Sequence, residues 1–267
     1  MKLAGYEVIE KIASGGMSNV FRAKRLHDNK IVAIKLIRDS MAKNKEAVKR
    51  FCAEAKLVMS LNHPNIVKVF SLENNKEYPF ITMEYVEGYT LRGLLNEKNM
   101  LDNRTLINIS MNIAKGLEYI HSKGIIHKDI KPKNILTDTI AKISDFGIAS
   151  YGPTEYAHRQ GAPSYMSPEQ IKGRGIDHRT DIYSLGTTMY EMATGQVPFK
   201  GSDNLAVLTK HLNFKPRSIK QINNKIHPYI ESIIMKMLEK LPANRYQTAT
   251  MLRLDLLEIS TKLFRGR

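Results

Sequence analysis

Asp129, Asn134 and Asp145 are the residues of this chain whose types and spacing could do chemistry. The first two lie in His127-Lys128-Asp129-Ile130-Lys131-Pro132-Lys133-Asn134-Ile135-Leu136, the third in Asp145-Phe146-Gly147. A carboxylate such as Asp129 can accept the proton of an attacking hydroxyl. Asn134 and Asp145 offer hard oxygen atoms, the ligands that Mg2+ takes. A proton acceptor and two oxygen ligands at this spacing suit phosphoryl transfer. Either carboxylate alone would read as an ordinary loop residue. The whole string, with Lys131 between the Asp and the Asn, is far more specific.

Stepping upstream, residues 6–14 and 19–25 alternate apolar and polar side chains around Gly15-Gly16. That pattern predicts a hairpin, and backbone N–H groups at the two glycines can approach phosphates. Val32-Ala33-Ile34-Lys35 reads as the next strand. An unpaired ammonium in that apolar context is costly, so Lys35 calls for a carboxylate. The helix predicted over 45–61 offers Glu46 and Glu54, and its expected core face is Val48, Phe51, Ala55, Val58 and Met59. Asn62-His63-Pro64-Asn65 breaks it, with His63 a turn residue, and strands are expected over 66–72 and 78–85.

From Thr90 the pattern turns helical. A short helix is expected over 91–96 and a long one over 103–122. Asn103 is its expected cap, with a stripe of Leu106, Ile109, Ile113, Leu117 and Ile120. Further helices are expected over 181–194, 203–212, 227–240 and 247–263, with His211 and His227 on the surface and Cys52 as a packing residue.

The string from His127 to Gly147 resembles the signature of the eukaryotic-type serine/threonine protein kinases, whose motifs are His-Arg-Asp, four residues, Asn, then Asp-Phe-Gly. The stretch Ser14-Gly15-Gly16-Met17-Ser18 is closest in style to the bacterial branch. The resemblance runs from about Tyr6 to Leu263. It implies an α+β fold of two lobes: an antiparallel sheet with one helix over about 1–83, a hinge over about 84–88, and a mainly helical lobe over about 89–267. ATP would lie between the lobes, and its γ-phosphoryl would pass to serine or threonine hydroxyls of a protein substrate, including the kinase itself. Lys131, two residues after Asp129, marks the serine/threonine side.

The same resemblance implies the site. It selects Glu54 as the partner of Lys35, which would hold the α and β phosphates. Catalysis would fall to Asp129, Lys131, Asn134, Lys35 and Glu54, and Mg2+ to Asn134 and Asp145. The nucleotide would meet Ala13, Gly15 and Gly16 in the glycine-rich turn. Ile12, Val20, Ala33 and Leu136 would sandwich adenine, Met83 would wall it, and the backbones of Glu84 and Val86 would bond its edge. Glu169, in Ser167-Pro168-Glu169, would pair with Arg245. Asp181 would bond the backbone of the catalytic loop, and His127 would pack rather than transfer protons.

The chain departs from the family pattern at several positions. Ala13 and Ser18 stand where two glycines are usual, and Ala162 where a threonine hydroxyl links Asp129 to Lys131. Lys128 replaces the arginine that grips an activating phosphate through two parallel bonds, and lysine offers only a point contact. Thr154 is the candidate phosphosite, with Arg159 as a second cation; stimulation by its phosphorylation is expected to be weak, with dimerisation or bound substrate ordering the segment instead. The substitutions at Ala13, Ser18 and Ala162 favour an alternative, a pseudokinase-like nucleotide-binding scaffold with little or no turnover. The retained Lys35, Glu54, Asp129, Asn134 and Asp145 oppose it. A small-molecule phosphotransferase is opposed by Glu169, Asp181 and Arg245, which would build a platform for a protein.

The 267 residues suit one large domain or two joined lobes. The single cysteine excludes an intrachain disulfide. Neither a signal peptide nor a membrane-length apolar run is evident, so the expected location is cytoplasmic, or the cytosolic domain of a longer parent. The net charge of +15 is scattered, and is compatible with an acidic partner, an anionic surface or a generally basic exterior.

Overall fold

A computed structural model describes residues 2–3, 5–73, 78–147, 149–151 and 162–264. The chain divides into two compact units, Met1–Glu87 and Gly88–Arg267. The first is an antiparallel sheet with one long helix and the second is mainly helical, as the expected α+β fold requires.

The first unit opens with β1 (Lys2–Leu3), β2 (Tyr6–Ser14), β3 (Ser18–Arg25) and β4 (Ile31–Ile37). The short helix α1 (Asp39–Ala42) and the long helix α2 (Lys45–Met59) follow, then β5 (Val69–Glu73) and β6 (Phe80–Glu84). The sheet order is β1-β2-β3-β4-β6-β5, antiparallel throughout. β4 is rich in β-branched residues, and alternation sorts its side chains. Val32, Ile34 and Leu36 join Tyr6, Ala23 and Phe80 in an apolar cluster. Ala33 and Lys35 fall on the opposite face.

Asn44 caps α2, its Oδ1 accepting from the N–H groups of Glu46 and Ala47. The buried face of α2 is Ala47, Phe51, Ala55 and Val58. The expected face is therefore rotated: Val48 is only half-buried and Met59 is 38% exposed. Val48 and Met59 lie at the margins of that face and so stay partly exposed. β5 starts later than its apolar run suggests, because Ile66 makes only an isolated bridge and Val67 stays outside the ladder, both buried, and β6 is shorter than its run at both ends.

The second unit contains β7 (Tyr89–Thr90), α3 (Leu91–Lys98), α4 (Asn103–Ser122), β8 (Ile125–Ile126), β9 (Ile135–Thr137), β10 (Ala141–Ile143) and β11 (Ser150–Tyr151). It continues with α5 (Pro168–Lys172), α6 (Arg179–Thr194), α7 (Asn204–Asn213), α8 (Pro228–Met237) and α9 (Ala249–Phe264). The strands form two small sheets, β10-β9-β7 and β11-β8. The stripe expected on α4 is buried, but its cap is Asp102, whose Oδ1 accepts from the N–H groups of Arg104 and Thr105. Asn103 instead donates its amide to the Lys225 carbonyl. The whole run from Thr180 to Thr194 in α6 is buried, making it the axis of this unit. Gly186 permits this: a Cβ there would meet the Met237 Cβ of α8 at 2.7 Å.

Two histidines expected on the surface behave otherwise. His211 is 0% exposed, because its imidazole finds hydrogen-bond partners on elements remote in sequence, Tyr183 and Ser164. His227 is half-buried and accepts from the Tyr229 N–H at the start of α8.

Candidate functional site

In the first unit, Lys35 projects from β4 and Glu54 from α2. Their Nζ and Oε1 atoms stand 2.6 Å apart, and both side chains are largely buried. The alternative acid, Glu46, is exposed and accepts from Arg50. In the turn between β2 and β3, the Gly15 N–H donates to the Ser18 carbonyl at 2.8 Å. A Cβ on Gly15 would lie 3.3 Å from that oxygen, whereas Gly16 has open space around it. The turn therefore closes with Ser18 in the third glycine position. Ala13 pairs with Val20, Val20 with Lys35, and Ala33 with Met83 across the sheet. Ile12 is 43% exposed. Glu84 ends β6, its N–H donating to the Lys68 carbonyl, and Val86 is half-buried beyond it.

In the second unit, the loop between β8 and β9 carries a network of short polar contacts. The Asp129 carboxylate accepts from Lys131 Nζ and, at 3.0 Å, from Asn134 Nδ2. Asn134 also donates to the Asp129 carbonyl, at 2.9 Å. The carbonyl of Asn134 accepts from both the N–H and the hydroxyl of Ser144, the residue before Asp145. Asp129, Lys131 and Asn134 are thus brought together, and Asn134 is tied to the segment that bears Asp145. Leu136 is half-buried in β9. Lys128 and Asp145 both adopt left-handed backbone conformations, with φ of 67° and 60°.

His127 is buried. Its Nε2–H donates to the Ser144 carbonyl, its Nδ1 accepts from the Asp129 N–H, and its ring packs on Phe146. Asp181, in the first turn of α6, is also fully buried. Its Oδ1 accepts from the Lys128 N–H at 2.7 Å and its Oδ2 from the His127 N–H at 2.9 Å. His121 Nε2 is a third partner, 2.8 Å from Oδ2. Burial alone would push this carboxyl up, but the bonds from His121 and the His127 amide outweigh it and hold the carboxyl below its ordinary range. Burial lowers the Lys128 ammonium, opposed by the charge of Asp181.

Downstream, Ser167 and Gln170 form a capping box at α5. Gln170 Nε2 donates to the Lys128 carbonyl at 2.8 Å, linking this helix to the Asp129 loop. Glu169 meets Arg245 through two parallel bonds and also accepts from the Thr180 hydroxyl. Ahead of it, the turn Pro163–Tyr165 is fastened by a triad. Arg92 Nη2 donates to the Tyr165 hydroxyl and to Glu191, and that hydroxyl donates to Glu191 Oε2 at 2.6 Å. Sequence reasoning missed this triad, whose members lie far apart in the chain. It also missed Gln170, although Ser-x-x-Gln beside a proline is a legible capping signal. Thr154 and Arg159 lie outside the described residues. Among the described residues, no three His, Cys, Asp or Glu side chains cluster as a metal cage, and no helix is long and apolar enough to cross a membrane.

The protein kinase domain family matches residues 6–257. The chain is 43% identical over 260 residues to the probable serine/threonine-protein kinase CPE1738 of Clostridium perfringens, covering 95% of this chain and 38% of that protein. It is 37% identical over 257 residues to the serine/threonine-protein kinase PrkC of Bacillus subtilis, covering 94% and 40%. It is also 37% identical over 266 residues to the serine/threonine-protein kinase PknB of Mycolicibacterium smegmatis, covering 95% and 43%. The chain therefore spans about two fifths of the length of these relatives.

Proposed function

The chain belongs to the protein kinase family, and on that premise we propose that it transfers the γ-phosphoryl group of Mg-ATP to serine and threonine hydroxyls of proteins, its own included. The observation that supports this most is the Asp129 carboxylate held by Lys131 and Asn134 in one short loop. In this reading Asp129 orients the acceptor hydroxyl and takes its proton. Lys131, beside it, offsets negative charge on the transferred group. Lys35, steered by Glu54, holds the α and β phosphates.

Asn134 and Asp145 fit Mg2+, which is held by few protein oxygens together with substrate phosphates. Their hard-oxygen donor set, tied together through Ser144, suits that ion. When bound, the ion supplies charge neutralisation at the phosphates. The adenine ring would rest against Ile12, Val20, Ala33, Met83 and Leu136, its edge on the backbones of Glu84 and Val86. Ala13, Gly15 and Gly16 would lie along the phosphates. The lobe limits follow as about 1–83 and 89–267. Residues 162–169 form the platform against which the acceptor chain lies, fastened by Glu169 to Arg245 and by Gln170 to Lys128.

The test is mass spectrometry of the protein, alone and with a basic protein acceptor, after incubation with Mg-ATP. Phosphoserine and phosphothreonine are expected, and their loss in Asp129→Asn. Predominant phosphotyrosine would refute the acceptor class. Absence of any transfer would refute the reading as a whole.

A further inference from the structure

His211 sits in the last turn of α7 with no exposed surface, yet it belongs to none of the groups assigned above. Its two ring nitrogens address two different elements. Nε2 lies 3.1 Å from the carbonyl oxygen of Ser164, and Nδ1 lies 2.8 Å from the hydroxyl of Tyr183 on α6. A carbonyl can only accept, so Nε2 carries the proton. Nδ1 is then the acceptor, and the Tyr183 hydroxyl donates to it. Of the two neutral tautomers, only this one satisfies both bonds.

The surroundings hold the ring in that state. Phe199 meets it edge to face, with centroids 4.8 Å apart. The ammonium of Lys240 donates to the His211 carbonyl and lies 4.4 Å from the centre of the Phe199 ring. Burial, reinforced by the charge of Lys240, pushes the imidazole down to about 4. Tyr183 is thus a tautomer selector, and His211 a fixed donor aimed at Ser164.

Ser164 is the centre of the turn Pro163–Tyr165. The next carbonyl, that of Tyr165, accepts from the Ser184 hydroxyl of α6 at 2.9 Å, and the Tyr165 hydroxyl joins Arg92 and Glu191. His211 is the contact through which α7 reaches this turn by a side-chain hydrogen bond. We infer that His211 is a positioning residue for the protein acceptor: its neutral imidazole, oriented by Tyr183, fixes the Ser164 carbonyl and so the height of the platform under the acceptor chain. The inference rests on the platform role proposed for residues 162–169. The ring touches no reacting atom, so its effect falls on acceptor binding and not on the nucleotide.

The experiment is steady-state kinetics with a serine peptide and Mg-ATP for wild type, His211→Phe, His211→Gln and Tyr183→Phe, each with its melting temperature. His211→Phe keeps the ring volume and loses the donor. Its kcat/KM for peptide should fall about tenfold, roughly what one buried hydrogen bond contributes. The fall should lie in the peptide KM, with the KM for ATP unchanged. His211→Gln, whose amide can replace the Nε2 donor, should recover much of the loss. Tyr183→Phe, which frees the tautomer, should reproduce part of it, and this variant carries the test if His211→Phe does not fold. Equal peptide KM values in wild type and folded variants, or parallel rises for peptide and ATP, would overturn the inference while leaving the kinase reading standing. A wild type that transfers nothing would remove both.

Discussion

Glu169 and Arg245, 76 positions apart, meet as a buried fork, with Nη1 to Oε1 at 2.7 Å and Nη2 to Oε2 at 2.8 Å. The pair joins the segment that opens α5 to the loop before α9. Arg245 also donates to the carbonyls of Glu239, Lys240 and Arg179, so all five of its N–H donors are engaged. An arginine suits this place because its planar fork matches a carboxylate and still reaches further acceptors.

Removing one member leaves a buried charge without its partner. Arg245→Ala should therefore destabilise the fold by about 3–5 kcal/mol, read as a fall in the denaturation midpoint. Arg245→Lys keeps the charge without the fork and should fall between. An Arg245→Ala midpoint equal to wild type would show the pair to be energetically idle.

The same pair sets an acid limit. Burial on its own raises the Glu169 carboxyl, but the bonds and charge of Arg245, with Thr180 and a backbone amide, bring it below its ordinary value of 4.5. A depressed folded pKa contributes stability above the unfolded value, and that contribution is lost as pH falls through the folded one. Wild type should lose stability faster below pH 4.5 than Glu169→Gln does. Parallel curves would exclude the linkage.

Lys35→Ala and Asp145→Asn should each abolish detectable phosphoryl transfer while the circular dichroism spectrum stays native, since both act on phosphate charge. Asp129→Asn, which removes the proton acceptor, should lower kcat by about 10²–10⁴-fold with little change in nucleotide affinity. Wild-type turnover in folded Asp145→Asn would rule out its metal role.

Lys128 bears on regulation. Its amide is held by Asp181 and its carbonyl by Gln170, while its half-buried ammonium is a point charge and not a fork. Phosphatase treatment should change wild-type activity little, and Thr154→Ala should behave the same. Lys128→Arg should acquire phosphate-dependent activity. A large loss on dephosphorylation of wild type, matched by Thr154→Ala, would refute the weak switch.

The strands, the helical stripe and the Asp129 to Asp145 string were legible because they are local, whereas the fold class came from the resemblance that the string carries. The partner of Lys35 was narrowed by local reasoning to two acids on one helix and chosen by resemblance. Errors came where a neighbour in space decided. Asn103 looks as good a cap as Asp102, and only the path of the chain separates them. His211 is polar by type and buried by virtue of Tyr183 and Ser164, 28 and 47 positions away. The Arg92, Tyr165 and Glu191 triad has no spacing that a linear pattern could reveal.

Cys52 has a use of its own. It lies on α2, two residues before Glu54, and is the only thiol in the chain. Half-buried, its thiol is pushed up by burial, against a smaller opposing effect of Lys56, which disfavours the reactive thiolate. The natural protein therefore comes equipped with a single-site spectroscopic handle. Its rate of reaction with a thiol-directed fluorophore, followed with and without Mg-ATP, would report the breathing of the helix that steers Lys35, without engineering any residue.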